Sequence, residues 1–304
     1  MHDLIIIGGG PAGLTAAIYA LRADKSVLIL EKETFGGQIT FSPKVENIPG
    51  FTSLSGNEFA EKLVDQALTQ GADCELAEVF SVEGGKDREP FIVKTDMGDF
   101  EGRAVIIATG AKHRTLGLPR EDEFIGNGIS FCAVCDGAFF RDQVVGMVGG
   151  GNSALQEAVL LSGLVKKLYI FQDLPYLTGE KKLQEELFAK DNVEILTGVA
   201  VEEYLGDTAF SGVRIRDRES GKTQEFELSG LFVAVGLTPQ NEPFKGLFSL
   251  NEYGYADVNE YCRTETPGVF VAGDCRSKRI RQVTTAAADG AVAALAACDY
   301  IDGR

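Results

Sequence analysis

Five short runs of apolar residues punctuate the chain, at residues 4–7, 104–108, 144–148, 231–235 and 269–272, and each ends at or just before a glycine. A run that does not alternate with polar residues marks a strand buried on both faces, as in a parallel sheet. Between them lie segments of helical spacing. Residues 14–23 read as one helix and residues 57–70 as another, with Phe59, Leu63, Val64 and Ala67 on one face. Helices are also expected over 155–163 and 181–188, and an alanine-rich one from about 284 to 298. Residues 27–30, 167–171 and 193–196 read as further strands, while 80–109 and 200–228 read as short strands joined by turns. Strand, helix and strand recur in the same order near residues 4–30 and 144–171, so the chain contains an internal repeat. The pattern predicts an α/β protein with two Rossmann-like, three-layer units.

The glycines that follow the runs carry the first chemical signal. Gly8, Gly10 and Gly13 fit G-x-G-x-x-G between a strand and a helix: the first for a tight turn, the second for close approach of a pyrophosphate, the third for helix–strand packing. Glu31 follows the next strand, where an acid can bond a ribose hydroxyl. In the second repeat Gly149, Gly151 and Ala154 match G-x-G-x-x-A, and Asp173 falls near the place that Glu31 holds in the first. Asp274, after the last apolar run, reads either as a turn or cap residue or as a carboxylate that bonds a ligand hydroxyl ahead of the final helix.

Cys132 and Cys135 form C-x-x-C with Asp136 directly behind. Two thiols at this spacing can close a small disulfide, and a cysteine at a helix start has its thiol pKa lowered. Half a zinc site, or two buried cysteines, are the alternatives; a zinc ribbon needs a second close Cys/His pair. Cys74, Cys262, Cys275 and Cys298 stand singly.

Length and charge narrow the classes. A chain of 304 residues suits two domains. A net charge of -16 disfavours nucleic acid and anionic membrane as partners, since both are polyanions. No run approaches a membrane span, and Met-His-Asp leads into residues 4–7 without a basic region, which predicts a cytoplasmic protein.

With these residues in hand, the chain resembles the low-molecular-weight bacterial thioredoxin reductases over essentially its whole length, at residues 8–13, Gly36, Gly37 and Gln38, Asn47, 108–110, 132–136, 149–154, Gly273 and Asp274, and 281–283. The resemblance implies a flavin domain of residues 1–113 and 242–304, with a pyridine-nucleotide and dithiol domain of residues 114–241 inserted into it. It implies FAD along Gly8, Gly10, Pro11, Ala12 and Gly13, with Glu31 and Lys32 at its adenosine end. Gly37, Gln38, Asn47, Thr109, Gly110, Gly273, Asp274, Arg281, Gln282 and Val283 are implied around the rest of the cofactor. NADH or NADPH is implied at Gly149, Gly151, Asn152, Ser153, Ala154 and Asp173, the inserted domain presenting dithiol and nicotinamide to the flavin in turn. The resemblance further implies that Cys135 faces the flavin, that Cys132 attacks the disulfide of thioredoxin or a thioredoxin-like protein, that Asp136 moves the protons, and that the enzyme is a homodimer. One departure stands out. The family's arginine cluster for the NADPH 2′-phosphate is replaced by Phe171-Gln172-Asp173-Leu174-Pro175, which favours NADH. A ferredoxin-type donor is the alternative, with Arg276, Lys278, Arg279 and Arg281 as its basic landing patch.

Overall fold

Unbroken apolar runs end up where such runs must. Leu4, Ile5 and Ile6 are 0% exposed in the strand His2–Ile7, which pairs in parallel with Val27–Glu31 on one side and Gly98–Ile107 on the other. Asp73–Leu76 extends the sheet beyond Val27–Glu31, and Val269–Val271 pairs in parallel with Gly98–Ile107. Val79–Gly84 and Phe91–Thr95 add an antiparallel meander. The computed structural model describes residues 1–42 and 44–304, and it divides into two units.

The first unit comprises residues 1–42, Ile48–Lys112 and Thr238–Arg304. Its sheet is covered on one face by the helices Pro11–Arg22, Gly56–Thr69 and Val283–Asp302. The first and last of these approach through small residues: a Cβ on Gly290 would lie 2.1 Å from the Ala12 carbonyl oxygen. Gly56–Thr69 begins in a capping box in which Ser55 and Glu58 each bond the other's amide. Phe59 and Ala67 on its apolar face are buried, and Leu63 and Val64 pack partly buried against the same core. The opposite face of the sheet is closed by Val79, Val93, Phe244 and Phe248.

The second unit comprises Lys44–Asn47 and His113–Leu237. Its five parallel strands run in the spatial order Val193–Thr197, Lys167–Gln172, Val144–Val148, Gly230–Val233 and Ile129–Ser130. Helices Asn152–Ser162 and Lys181–Phe188 lie on one face. The antiparallel strands Val199–Leu205, Gly212–Asp217 and Thr223–Glu227 cover the other, with Phe171, Phe226 and Val213 between the layers. The α/β class with two Rossmann-like units is the one the apolar runs predict, and the return of the chain to the first unit after Leu237 is the insertion that the resemblance implies.

Helix lengths depart modestly from the spacing. Pro11–Arg22 starts three residues earlier than apolar periodicity suggests, because Pro11 is preorganised for the first helical turn. Asn152–Ser162 likewise begins within the glycine motif, and Val283–Asp302 runs four residues past the expected end, to Gly303 in the left-handed region at φ 77°. The units divide after Lys112 and after Leu237, with Lys44–Asn47 grouped with the second unit.

Candidate dinucleotide and dithiol sites

In the first unit the strand ends at Ile7 and turns at once. Gly8 has φ +112°, and a Cβ there would meet the Ala108 carbonyl oxygen at 2.4 Å, so only glycine fits. The helix that follows packs so close that a Cβ on Gly13 would lie 1.9 Å from the Gly8 carbonyl oxygen. Gly10 differs: nothing lies nearer than 3.9 Å to its Cβ position, which leaves an open cradle. Glu31 ends the next strand and uses both oxygens on the loop, accepting the Gly9 amide at 2.8 Å and the Glu33 amide at 2.9 Å. Each carboxylate oxygen retains a second lone pair for a ligand hydroxyl.

Two further groups of this unit are built to receive something. Thr109 Oγ1 and Asp274 Oδ1 are buried without a hydrogen-bond partner, and Asp274 Oδ1 is 3.2 Å from Lys278 Nζ without hydrogen-bond geometry. Burial pushes the Asp274 pKa up, against the pull of Lys278. An unpartnered buried oxygen is costly, so Thr109 suits a cofactor's polar atom, and Asp274, whose Oδ1 has only the Lys278 ion pair, can take another. Gly110, in the left-handed region at φ +66°, has open space beyond its Cβ position. Gly273 donates its amide to Asp289 at 3.2 Å. Asp289 also holds Arg276 at 2.9 Å and Lys278 at 3.0 Å, with all three side chains 11–14% exposed. Arg281 lies over the Tyr255 ring at 4.3 Å, and Gln282 caps the last helix, which Val283 begins. Lys32 is exposed and 4.0 Å from Glu78, Gln38 is exposed, and a Cβ on Gly37 would lie 3.2 Å from the Gly10 Cα. Pro11 and Ala12 open the first helix. Asn47 is grouped with the second unit.

The second loop repeats the first in its geometry. Gly149 has φ +127° and would clash with the Ala234 carbonyl oxygen at 2.5 Å, while Gly151 is open, with Thr178 Oγ1 nearest at 3.7 Å. Ala154 replaces the third glycine and is fully buried. Asn152 and Ser153 are exposed at the helix start, and Asn152 accepts the Glu180 amide at 2.7 Å. The Thr178 and Gly179 amides both donate to the Gly150 carbonyl at 2.9 Å. Residues 178–180 thus belong to this loop, a role no motif announced.

Ladder register refines the acidic position. Ile7 precedes Gly8 and pairs with Leu30; Val148 precedes Gly149 and pairs with Phe171. The counterpart of Glu31 is therefore Gln172, 5% exposed and donating to the Tyr176 carbonyl, and Asp173 lies one position further out in solvent. An arginine also arrives from a distant strand end: Arg218 Nη2 is 3.6 Å from Asp173 Oδ2.

Cys132 and Cys135 form a disulfide with Cα atoms 5.3 Å apart, Cys132 serving as N-cap of the short helix Ala133–Asp136. With four residues the helix offers little dipole, so the sulfur's support is local: the Cys135 amide lies 3.2 Å from Cys132 Sγ. Ser130 organises the site, donating to Asp136 Oδ2 at 2.6 Å and accepting the Cys132 amide at 3.1 Å. Asp136 Oδ1 is buried with no partner, and burial raises the Asp136 pKa despite the Ser130 bond. A histidine stands near in space though none does in sequence: His113 stacks on Phe131 at 4.8 Å, its pKa lowered to about 4 by burial, so it is neutral at pH 7. Glu157, on the helix Asn152–Ser162, accepts the Ala133 amide at 3.0 Å. Burial pushes its pKa up to about 7. Ser130 and Glu157 escaped the sequence reading because each acts across a fold contact, at separations of 6 and 24 residues.

A Rossmann-like unit that carries both a glycine loop and a half-buried C-x-x-C disulfide defines a class of nucleotide-linked disulfide enzymes, and the comparisons agree with it. Residues 2–290 match the family model described as pyridine nucleotide-disulphide oxidoreductase. The chain is 39% identical to the thioredoxin reductase of Bacillus subtilis, over 99% of this chain and 95% of that one. It is 40% identical to the "34.2 kDa protein in rubredoxin operon" of Clostridium pasteurianum, covering 99% and 98%. Among solved structures, thioredoxin reductase from Streptococcus pyogenes superposes with TM-score 0.94 at 38% identity, covering 100% of this chain and 99% of that one. The chain therefore belongs to the pyridine nucleotide-disulphide oxidoreductase family, among the low-molecular-weight thioredoxin reductases. It is an oxidoreductase, and membership implies FAD and a nicotinamide dinucleotide. No helix among the described residues is long and apolar enough to cross a membrane.

Proposed function

We propose that the chain is an FAD-dependent thioredoxin-disulfide reductase that carries electrons from a reduced nicotinamide, NADH in preference to NADPH, to the Cys132/Cys135 pair and on to thioredoxin or a thioredoxin-like protein. The observation that carries this reading is the closed Cys132–Cys135 disulfide beside the half-buried Asp136, whose Oδ1 is buried and unpartnered. FAD, when bound, supplies the two-electron centre between nicotinamide and disulfide. Residues 1–113 and 242–304 are read as its binding domain. The Gly10 cradle would take the pyrophosphate, Glu31 the adenosine ribose, and Thr109 and Asp274 the remaining polar atoms. Residues 114–241 are read as the nucleotide and dithiol domain, with Gly151 as the second cradle.

Within the dithiol site the work is proton transfer. A thiol must lose a proton before it attacks a disulfide, and the departing thiolate must gain one. Asp136 is placed for both, held by Ser130 through one oxygen and free at the other. His113 does not compete, being neutral and stacked. Cys132 as the attacking sulfur and Cys135 as its partner follow the family order.

Donor choice rests on Asp173. An exposed carboxylate at this strand end suits a ribose diol and repels a 2′-phosphate. Arg218 tempers the preference, but both side chains are 58% exposed, and such a pair is worth about 0–1 kcal/mol. Against the ferredoxin-type donor, two of the four cations of its landing patch, Arg276 and Lys278, are held in ion pairs with Asp289 and are only 11–13% exposed. Anaerobic titration of the purified protein with NADH, NADPH and reduced ferredoxin, followed by flavin absorbance, tests the reading. Bleaching by NADH at the lowest concentration is expected; reduction by ferredoxin alone refutes it. A homodimer is part of the same reading, and sedimentation velocity measures it.

A further inference from the structure

Glu157 is a half-buried ionisable group bonded to the cysteine turn that the proposed reaction leaves idle. It sits on the helix that starts in the second glycine loop, and its carboxylate reaches the first amide of the cysteine turn, Ala133, at 3.0 Å. We propose that Glu157 is a positioning residue of the dithiol, holding the turn by that amide and taking up a proton when the Cys132–Cys135 bond is broken.

Three observations support this. First, Ala133 is fully packed, so its amide has no route to water, and Glu157 is its acceptor. Second, Glu157 makes no ion pair among the described residues. The charged groups on elements packed against its helix are Asp136 on the cysteine turn, Lys167 on the neighbouring strand, and Lys181, Lys182, Glu185 and Glu186 on the helix Lys181–Phe188. None of them offsets burial, which outweighs the single hydrogen bond from Ala133. The group therefore changes charge near neutral pH, where a surface glutamate does not. Third, the Cys135 amide already lies against Cys132 Sγ at 3.2 Å, so a thiolate at Cys132 would form in the same turn that Glu157 holds.

The step balances. Two electrons from the reductant enter the S–S bond and break it. One proton from solvent converts one sulfur to a thiol, and the other sulfur remains a thiolate. A thiolate and a carboxylate in one part-buried space repel each other, so a second proton settles on Glu157. Asp136 then serves exchange with the partner, while Glu157 sets the charge against which the thiolate forms.

The inference rests on the Cys132/Cys135 pair being a reactive dithiol, and the experiment keeps the two apart. The purified enzyme, reduced with dithiothreitol, is alkylated with iodoacetamide from pH 5 to 9, and Cys132 modification is followed by mass spectrometry in wild type, Glu157→Gln and Glu157→Asp. Glutamine keeps an oxygen for Ala133 and cannot ionise, so its Cys132 profile is expected to move down by about one pH unit. The aspartate variant, too short for Ala133 but still ionisable, should stay within about half that displacement of wild type. Infrared difference spectra of disulfide and dithiol forms should show a carboxylic-acid C=O band gained on reduction in wild type and absent in Glu157→Gln. Superimposable Cys132 profiles in wild type and Glu157→Gln overturn the inference and leave the dithiol reading intact. Cysteines that do not react after reduction in any variant overturn both. Should Glu157→Gln fail to fold, the wild-type infrared band decides alone, its absence refuting the proposal.

Discussion

Replacing Gly10 and Gly13 separately by alanine should divide the two jobs of the first glycine loop. A methyl at Gly13 falls 1.9 Å from the Gly8 carbonyl oxygen. Gly8 cannot yield, since its amide is bonded to the Leu30 carbonyl at 2.8 Å and its own Cβ position is filled by Ala108. The helix must lift from the strand, at an overpacking cost of about 1–3 kcal/mol, near the top of that range because the obstacle is backbone. For a unit of this size each kcal/mol lowers Tm by about 2–4 °C, so Gly13→Ala should melt about 5–10 °C below wild type even without cofactor. Gly10→Ala is the contrast. Its nearest neighbours stand 3.9 and 4.0 Å away and its backbone is extended at φ −82°, ψ −175°, so the apoprotein should lose only the cost of alanine for glycine at an N-cap, about 0.5–1 kcal/mol. The same methyl would occupy the space the pyrophosphate needs, and a misfit of about 1–3 kcal/mol weakens FAD about fivefold to 150-fold. Apoprotein melting and FAD retained per chain after gel filtration are the two measurements. A Gly10→Ala protein that keeps FAD as tightly as wild type, or that melts as low as Gly13→Ala, refutes the division of roles.

Cys135→Ser should trap a mixed disulfide between Cys132 and the substrate protein, visible on non-reducing gels, whereas Cys132→Ser should trap none; the reverse pattern overturns the order of the sulfurs. The Glu157 pKa is raised by burial to about 7. The folded state then holds the proton more tightly than the unfolded chain, so this group's stabilising contribution is complete below about pH 4.5 and is lost as pH rises through 7. Glu157→Gln should therefore gain on wild type by on the order of 2–3 kcal/mol above pH 7 and nothing near pH 4.5, as measured by urea unfolding of the oxidised protein; a pH-independent difference excludes the linkage. Burial pushes the Cys262 and Cys275 thiols up to about 11. N-ethylmaleimide on the native oxidised protein should accordingly label Cys74 first and these two only after denaturation, read by peptide mapping. Asp289→Asn removes the ion-pair partner of Arg276 and one of two for Lys278, which keeps Asp274 at 3.2 Å, and should cost about 1–3 kcal/mol, seen as a lower apoprotein Tm together with weaker FAD retention.

Hydrophobic order along the chain determined the α/β class, the duplication and both glycine loops, because a parallel strand buried on two faces and a tight turn into a helix are specified by neighbouring residues. C-x-x-C was equally local, since three residues of separation suffice to bring the sulfurs together. Other features depended on chain folding back from afar. The ladder register assigned Gln172 rather than Asp173 to the position of Glu31, a one-residue distinction that apolar runs cannot make. Arg218 reached Asp173 from the end of another strand, and Ser130 and Glu157 closed on the cysteine turn from opposite sides of it in sequence. The basic cluster at 276–281 shows the same limit from the other direction. Four cations close in sequence promise a charged surface, yet Asp289, on the following helix, draws Arg276 and Lys278 inward. Sequence patterns register how a residue type suits a local shape, whereas charge partners and desolvation are set by whatever the folded chain places within a few ångströms.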